Sequence, residues 1–91
     1  MRILLVEDEA KVASFIKRGL EQEQHVVDVA VTMRDGEYLA SIQEYDLLIL
    51  DCLLPDGDGR DLCRRLRARG IGTPVLLFCE ELGARQSCRT G

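Results

Sequence analysis

Two short apolar runs in the chain stop abruptly at acid: Ile3-Leu4-Leu5-Val6 at Glu7-Asp8-Glu9, and Leu47-Leu48-Ile49-Leu50 at Asp51. Unbroken apolar stretches this short suit strands buried on both faces of a parallel sheet; a strand with one wet face would alternate. In open parallel sheets covered by helices, sites form beyond the carboxyl ends of the strands, where the chain order reverses. If the two runs are neighbours, Glu7, Asp8 and Asp51 converge at one spot. Three carboxylates that close repel one another unless a hard cation lies among them.

The remaining segments supply partners for such a sheet. Residues 10–21 place Val12, Phe15, Ile16 and Leu20 on one helical face and Lys11, Lys17 and Arg18 on the other, with Asp8 or Glu9 available as the cap. Residues 25–30 read as a β-branched strand, and residues 33–43 as a second helix with Leu39, Ala40 and Ile42 facing a core. Residues 55–59 form a turn in which Asp56 and Asp58 are turn residues. A third helix spans residues 60–69 with Leu62, Cys63 and Leu66 inward, and residues 73–78 make a fourth strand. The alternation predicts an α/β fold, a three-layer αβα doubly wound parallel sheet with right-handed crossovers. Residues 79–91 break the rhythm: Glu80 to Arg85 could start a helix, and Gln86 to Gly91 show neither an apolar stripe nor a strand.

Composition narrows the function classes. At 91 residues, 46% hydrophobic and 31% charged, the chain makes one small domain with a core. A net charge of -4 argues against direct nucleic-acid binding, which needs a cationic surface. Arg60, Arg64 and Arg67 read as the solvated face of the third helix. Cys52, Cys63, Cys79 and Cys88 have no C-x-x-C spacing and His25 is the single histidine, so buried thiols are expected rather than a zinc site or a disulfide framework. With no secretory signal and no apolar run of membrane-spanning length, a cytoplasmic location without membrane insertion is expected.

Taken in order, Ile3 to Glu9, Tyr45 to Asp51, Leu54-Pro55-Asp56-Gly57-Asp58-Gly59 and Thr73-Pro74-Val75-Leu76-Leu77 resemble the receiver domain of bacterial two-component response regulators. The wording is closest to the class whose receiver precedes a winged-helix DNA-binding domain. The resemblance implies a flavodoxin-like sheet of strand order 2-1-3-4 over residues 1–78, with the fifth strand missing and a divergent tail over residues 79–91. It implies Mg²⁺ as cofactor, held directly by Asp8 and Asp51, through water by Glu7, and by the Leu53 backbone carbonyl. Asp51 would be the phosphoacceptor, taking a phosphoryl group from a sensor histidine kinase, so the chain would be no enzyme beyond self-directed phosphotransfer and autodephosphorylation. Gly57 and Gly59 would let the backbone turn close to the phosphate.

Two family residues are replaced. Cys79 stands at the switch position where the family has Thr or Ser, and a thiol is a weak donor. No lysine follows Lys17, so the family's switch lysine has no counterpart. On this reading the chain is C-terminally truncated, lacks the winged-helix domain and so does not bind DNA itself. Its fourth strand would be an unpaired apolar edge open to self-association. The competing reading is a non-switching interaction module working through the first helix, or a non-functional fragment of the same fold. An aspartyl-phosphate phosphatase would want an acid two residues after Asp51, where Leu53 stands. A phosphate-loop NTPase would need a G-x-x-x-x-G-K-[ST] run, which the sequence lacks.

Overall fold

Alternation along the first strand, β1 (Arg2–Val6), divides the molecule into two layers of core. Ile3 and Leu5 pack on one side with Ala13, Val27 and Ile49, whereas Leu4 and Val6 pack on the other with Leu48, Leu50, Leu62, Leu66 and Leu77. Ile3, Leu4, Leu5 and Val6 are all buried, which is why the strand reads as a solid apolar run. The structure is a computed structural model and describes residues 1–79 and 84–88, with the backbone alone at Cys79 and in 84–88.

The elements follow as α1 (Ala10–Gln22), β2 (Val26–Ala30), α2 (Met33–Ile42), β3 (Leu47–Asp51), β4 (Leu53–Leu54), β5 (Gly57–Asp58), α3 (Gly59–Ala68), β6 (Val75–Cys79) and β7 (Ala84–Cys88). One sheet has the order β2-β1-β3-β6-β7, its first four strands parallel. Helix α1 covers one face; α2 and α3 cover the other. This is the doubly wound αβα architecture with strand order 2-1-3-4 across its first four strands. Strands β4 and β5 form a two-pair antiparallel hairpin beyond the end of β3.

The fifth position of the sheet is the main correction. No fifth parallel strand stands there among the described residues, but the position is occupied: Ala84–Cys88 lies antiparallel to β6, pairing Val75 with Cys88 and Cys79 with Ala84. The fourth long strand is therefore not the unpaired edge expected for self-association. The sequence Ala-Arg-Gln-Ser-Cys has no strand pattern because this pairing is a backbone demand: the open N–H and C=O groups of β6 can be met by almost any side-chain sequence. Of residues 80–85, where a helix start was expected, Ala84 and Arg85 belong to β7 instead, and residues 80–83 lie outside the described residues.

Three other expectations fail for local reasons. Phe15 is 79% exposed, because the buried stripe of α1 runs through Ala13, Ile16 and Leu20 and Phe15 sits about a third of a turn away from it. Ile42 is 58% exposed, on the side of α2 away from the buried Met33, Gly36 and Ala40. Cys52 and Cys63 are buried as expected, but both are disulfide-bonded. Sequence spacing alone does not say which cysteines a tertiary fold brings together.

Candidate functional site

Parallel pairing of β1 with β3 puts Val6 opposite Leu50, so the next residues, Glu7 and Asp51, leave the sheet side by side. The Glu7 amide donates to the Ala30 carbonyl at 2.9 Å, extending the β1–β2 ladder by one residue. That extension draws Glu7 inside, where it is 0% exposed, and Asp51 is 4% exposed. Asp8 is exposed beside them. One carboxylate oxygen from each of Glu7, Asp8 and Asp51 lies within 4.8 Å of the others, so the three acids singled out in the sequence do converge.

Hydrogen bonding leaves this cluster short of donors. Glu7 Oε2 accepts from the Glu9 amide at 3.0 Å, but Glu7 Oε1 is buried without a partner. Burial pushes the Glu7 carboxyl up to about 7; the Glu9 amide opposes this, and the charge of Asp51 adds to it. Asp51 Oδ1 accepts from the Leu53 amide at 3.2 Å. Glu9 occupies the N-cap of α1, yet its side chain makes no cap bond, so neither Asp8 nor Glu9 caps the helix as expected. An orphaned buried carboxylate oxygen in an all-oxygen donor set is a physical fit for a hard divalent cation, which prefers such ligands.

The segment after Asp51 is held at three points. The Gly59 amide donates to the Cys52 carbonyl at 2.9 Å, and a Cβ at Gly59 would overlap the Asp51 carbonyl oxygen, so only glycine fits. Asp58 accepts from the Arg60 amide at 2.8 Å and caps α3. Asp56 reaches across to α2, where its two oxygens accept from the Met33 amide at 2.8 Å and the Arg34 amide at 3.1 Å. Gly57 has φ +152, and a Cβ there would run into the Met33 sulfur, so this glycine serves packing on α2. The sequence presents both aspartates as plain turn residues. The Asp58 cap was legible from its place before an amphipathic helix. Asp56 was not, because its partners stand 22 and 23 residues earlier.

The other expected site residues are placed as follows. Leu53 begins β4, half exposed, with its amide on Asp51. Cys79 ends β6, and its side chain lies outside the described residues. Lys11 sits with Ala10, Ser14, Phe15 and Arg18 on the outer face of α1. Lys17 lines a depression with Arg2, Asp28 and Tyr45.

The parallel part of the sheet, of order β2-β1-β3-β6, thus carries an acidic cluster at its carboxyl edge. The sequence matches the response regulator receiver domain over residues 3–87. It is 48% identical over 78 residues to the probable transcriptional regulatory protein SilR of Salmonella typhimurium, covering 86% of this chain and 34% of that protein. The structure superposes on the non-phosphorylated HemR receiver domain from Leptospira biflexa with a TM-score of 0.82 at 37% identity, covering 91% of this chain and 67% of that one. It also matches the receiver domain of a Pseudomonas aeruginosa sensor histidine kinase, which carries a magnesium ion in its active-site cleft, with a TM-score of 0.79 at 31% identity. That match covers 84% of this chain and 64% of the other. The chain belongs to the response regulator receiver domain family of two-component signalling. It spans about a third or less of the length of the curated relatives it matches, 34% for SilR, and among its described residues no helix is long and apolar enough to cross a membrane.

Proposed function

We propose that the chain accepts a phosphoryl group on Asp51 from the phosphohistidine of a sensor kinase, with Mg²⁺ as cofactor. The observation that carries this reading is the cluster of Glu7, Asp8 and Asp51 within 4.8 Å, with the Glu7 Oε1 atom buried and unpaired. Asp8 and Asp51 would hold the ion directly, Glu7 through water, and the Leu53 carbonyl would complete the protein's share. When bound, the ion supplies charge neutralisation for the transferring group.

The rest of the chemistry falls to the chain. The Leu53 amide fixes one oxygen of Asp51, leaving the other as nucleophile. That oxygen attacks phosphorus, the P–N bond of the phosphohistidine breaks, and its electron pair returns to the imidazole nitrogen; an acyl phosphate on Asp51 results. Burial of Asp51 keeps competing water away from the reacting carboxylate. The kinase would meet the exposed Phe15 on α1, flanked by Lys11 and Arg18. In a longer parent the receiver would regulate transcription, as the names of the matched relatives suggest, and work in the cytoplasm. Residues 1–78 carry this acceptor function, and residues 79–91 stand apart from it with Cys79 at the switch position.

Binding of a beryllofluoride phosphoryl mimic tests the reading. With Mg²⁺ present, the mimic should raise the thermal midpoint of the chain and leave Asp51→Asn unmoved. No shift in the wild-type chain at saturating Mg²⁺ and beryllofluoride would favour the non-switching interaction module.

A further inference from the structure

The hairpin that follows the acceptor aspartate is too short to hold itself. Its two residue pairs, Leu53 with Asp58 and Leu54 with Gly57, fall below what an isolated ribbon needs for stability. Its ends are tied to the site and to α3 through the Leu53, Gly59 and Arg60 amides. Its tip is tied by the Asp56 side chain, and the tie runs to a different element, α2.

Helix α2 is a firm reference for such a tie. Its Gly36 packs so tightly on Val6 that a Cβ would stand 2.8 Å from the valine Cγ2, and Glu37 is bridged to Arg65 of α3 and to Arg69 at its C-cap. The four amides that open a helix lack partners within it. Here Asp35 is served locally by the Thr32 hydroxyl at 3.1 Å, and the first helical bond runs from the Gly36 amide to the Thr32 carbonyl at 3.0 Å. The first two, Met33 and Arg34, are served by Asp56 from the hairpin. One helix end thus has a local cap and a remote cap, and the remote one carries the site loop.

We propose that Asp56 is a positioning residue for the acidic site: by clamping the hairpin tip onto α2 it fixes where the Leu53 backbone stands relative to Asp51. The consequence for Mg²⁺ rests on the metal reading above, whereas the placement of Leu53 does not. Thr32 provides the control, since Thr32→Ala removes a cap from the same helix without touching the hairpin.

The test compares Asp56→Ala, Asp56→Asn and Thr32→Ala in the full chain, by Mg²⁺ titration calorimetry and by amide hydrogen exchange at Leu53 and Gly59. Asp56→Ala should weaken Mg²⁺ binding about tenfold, as loss of outer support for a metal ligand does, and speed exchange at both amides by a similar factor. Asp56→Asn, with one acceptor oxygen in place of two, should fall between. Thr32→Ala should melt earlier yet keep wild-type Mg²⁺ affinity and wild-type exchange at Leu53 and Gly59. Equal shifts in Asp56→Ala and Thr32→Ala, or none in Asp56→Ala, would overturn the proposal. If the wild-type chain binds no Mg²⁺ while Asp56→Ala still speeds exchange, the metal reading fails and the positioning role stands. Should Asp56→Ala not fold, Asp56→Asn decides on the same two readouts.

Discussion

On the face of the sheet under α2 and α3, Leu4, Val6, Leu48, Leu50, Val75 and Leu77 are all buried. On the face under α1, the same strands present Ile3, Leu5 and Ile49 as buried residues, but Leu47, Leu76 and Phe78 are only partly covered. Two helices seal one side, and a single helix shields the other along β1 and β2, leaving the β3–β6 margin wetter. The acids sit at the carboxyl edge where both faces meet. Stability should therefore be drawn mostly from the α2–α3 side, while the site depends on the junction of the two.

The largest expected effect is on the sealed face. Leu66→Ala should cost about 3 kcal/mol, because it opens a cavity among packed neighbours, and in a domain this small that is a large share of the total. Phe78→Ala on the thinner face removes more atoms but should cost only about 1–2 kcal/mol, since part of the ring is already wet. Chemical denaturation of both variants checks the pair. Equal losses, or a larger loss at Phe78, would break the contrast between the faces.

A second prediction concerns the junction. The Glu7 carboxyl is raised from its ordinary 4.5 to about 7 in the folded chain, chiefly by burial. The folded state then holds a proton that the unfolded state has released, so between these values unfolding releases protons. This contribution is fully present below pH 4.5 and is lost as pH rises through about 7. Metal-free stability should fall across that window with a slope of roughly one proton or less. Glu7→Gln should flatten the slope and raise the midpoint at pH 8 relative to wild type. A wild-type curve that climbs from pH 4.5 to 7 would show that Glu7 is not the buried acid described here.

Smaller effects are expected at the polar seams. Tyr45 donates to Asp28 Oδ2 at 2.7 Å, and burial together with that carboxylate pushes its hydroxyl up to about 12. Tyr45→Phe should cost about 1 kcal/mol, the usual net worth of such a bond. Glu37→Gln, which loosens the bridges to Arg65 and Arg69 at 3.3 and 3.2 Å, should cost less than about 1 kcal/mol and matter least in high salt. Thermal melts at two ionic strengths separate the two variants.

The parts legible in the sequence are those set by short-range pattern. Solid apolar runs announced buried parallel strands, and acids at their ends announced the cluster of Glu7, Asp8 and Asp51. What escaped is set by tertiary partners. Asp56 looks like any turn aspartate until α2 is folded beside it. Phe15 and Ile42 fit an apolar helical pattern, but which neighbours centre the buried stripe is decided by the sheet beneath. Strand β7 has no pattern at all, because the open edge of β6 asks only for backbone. The bonded state of Cys52 and Cys63 depends on tertiary proximity that spacing does not encode.

The acceptor role of Asp51 is tested most directly by intact mass spectrometry after incubation with acetyl phosphate. With Mg²⁺ present, the wild-type chain should gain one phosphoryl adduct that maps to Asp51; without Mg²⁺, or in Asp51→Asn, it should gain none. An unmodified wild-type chain under saturating phosphodonor and Mg²⁺, or an adduct that persists in Asp51→Asn, would contradict it.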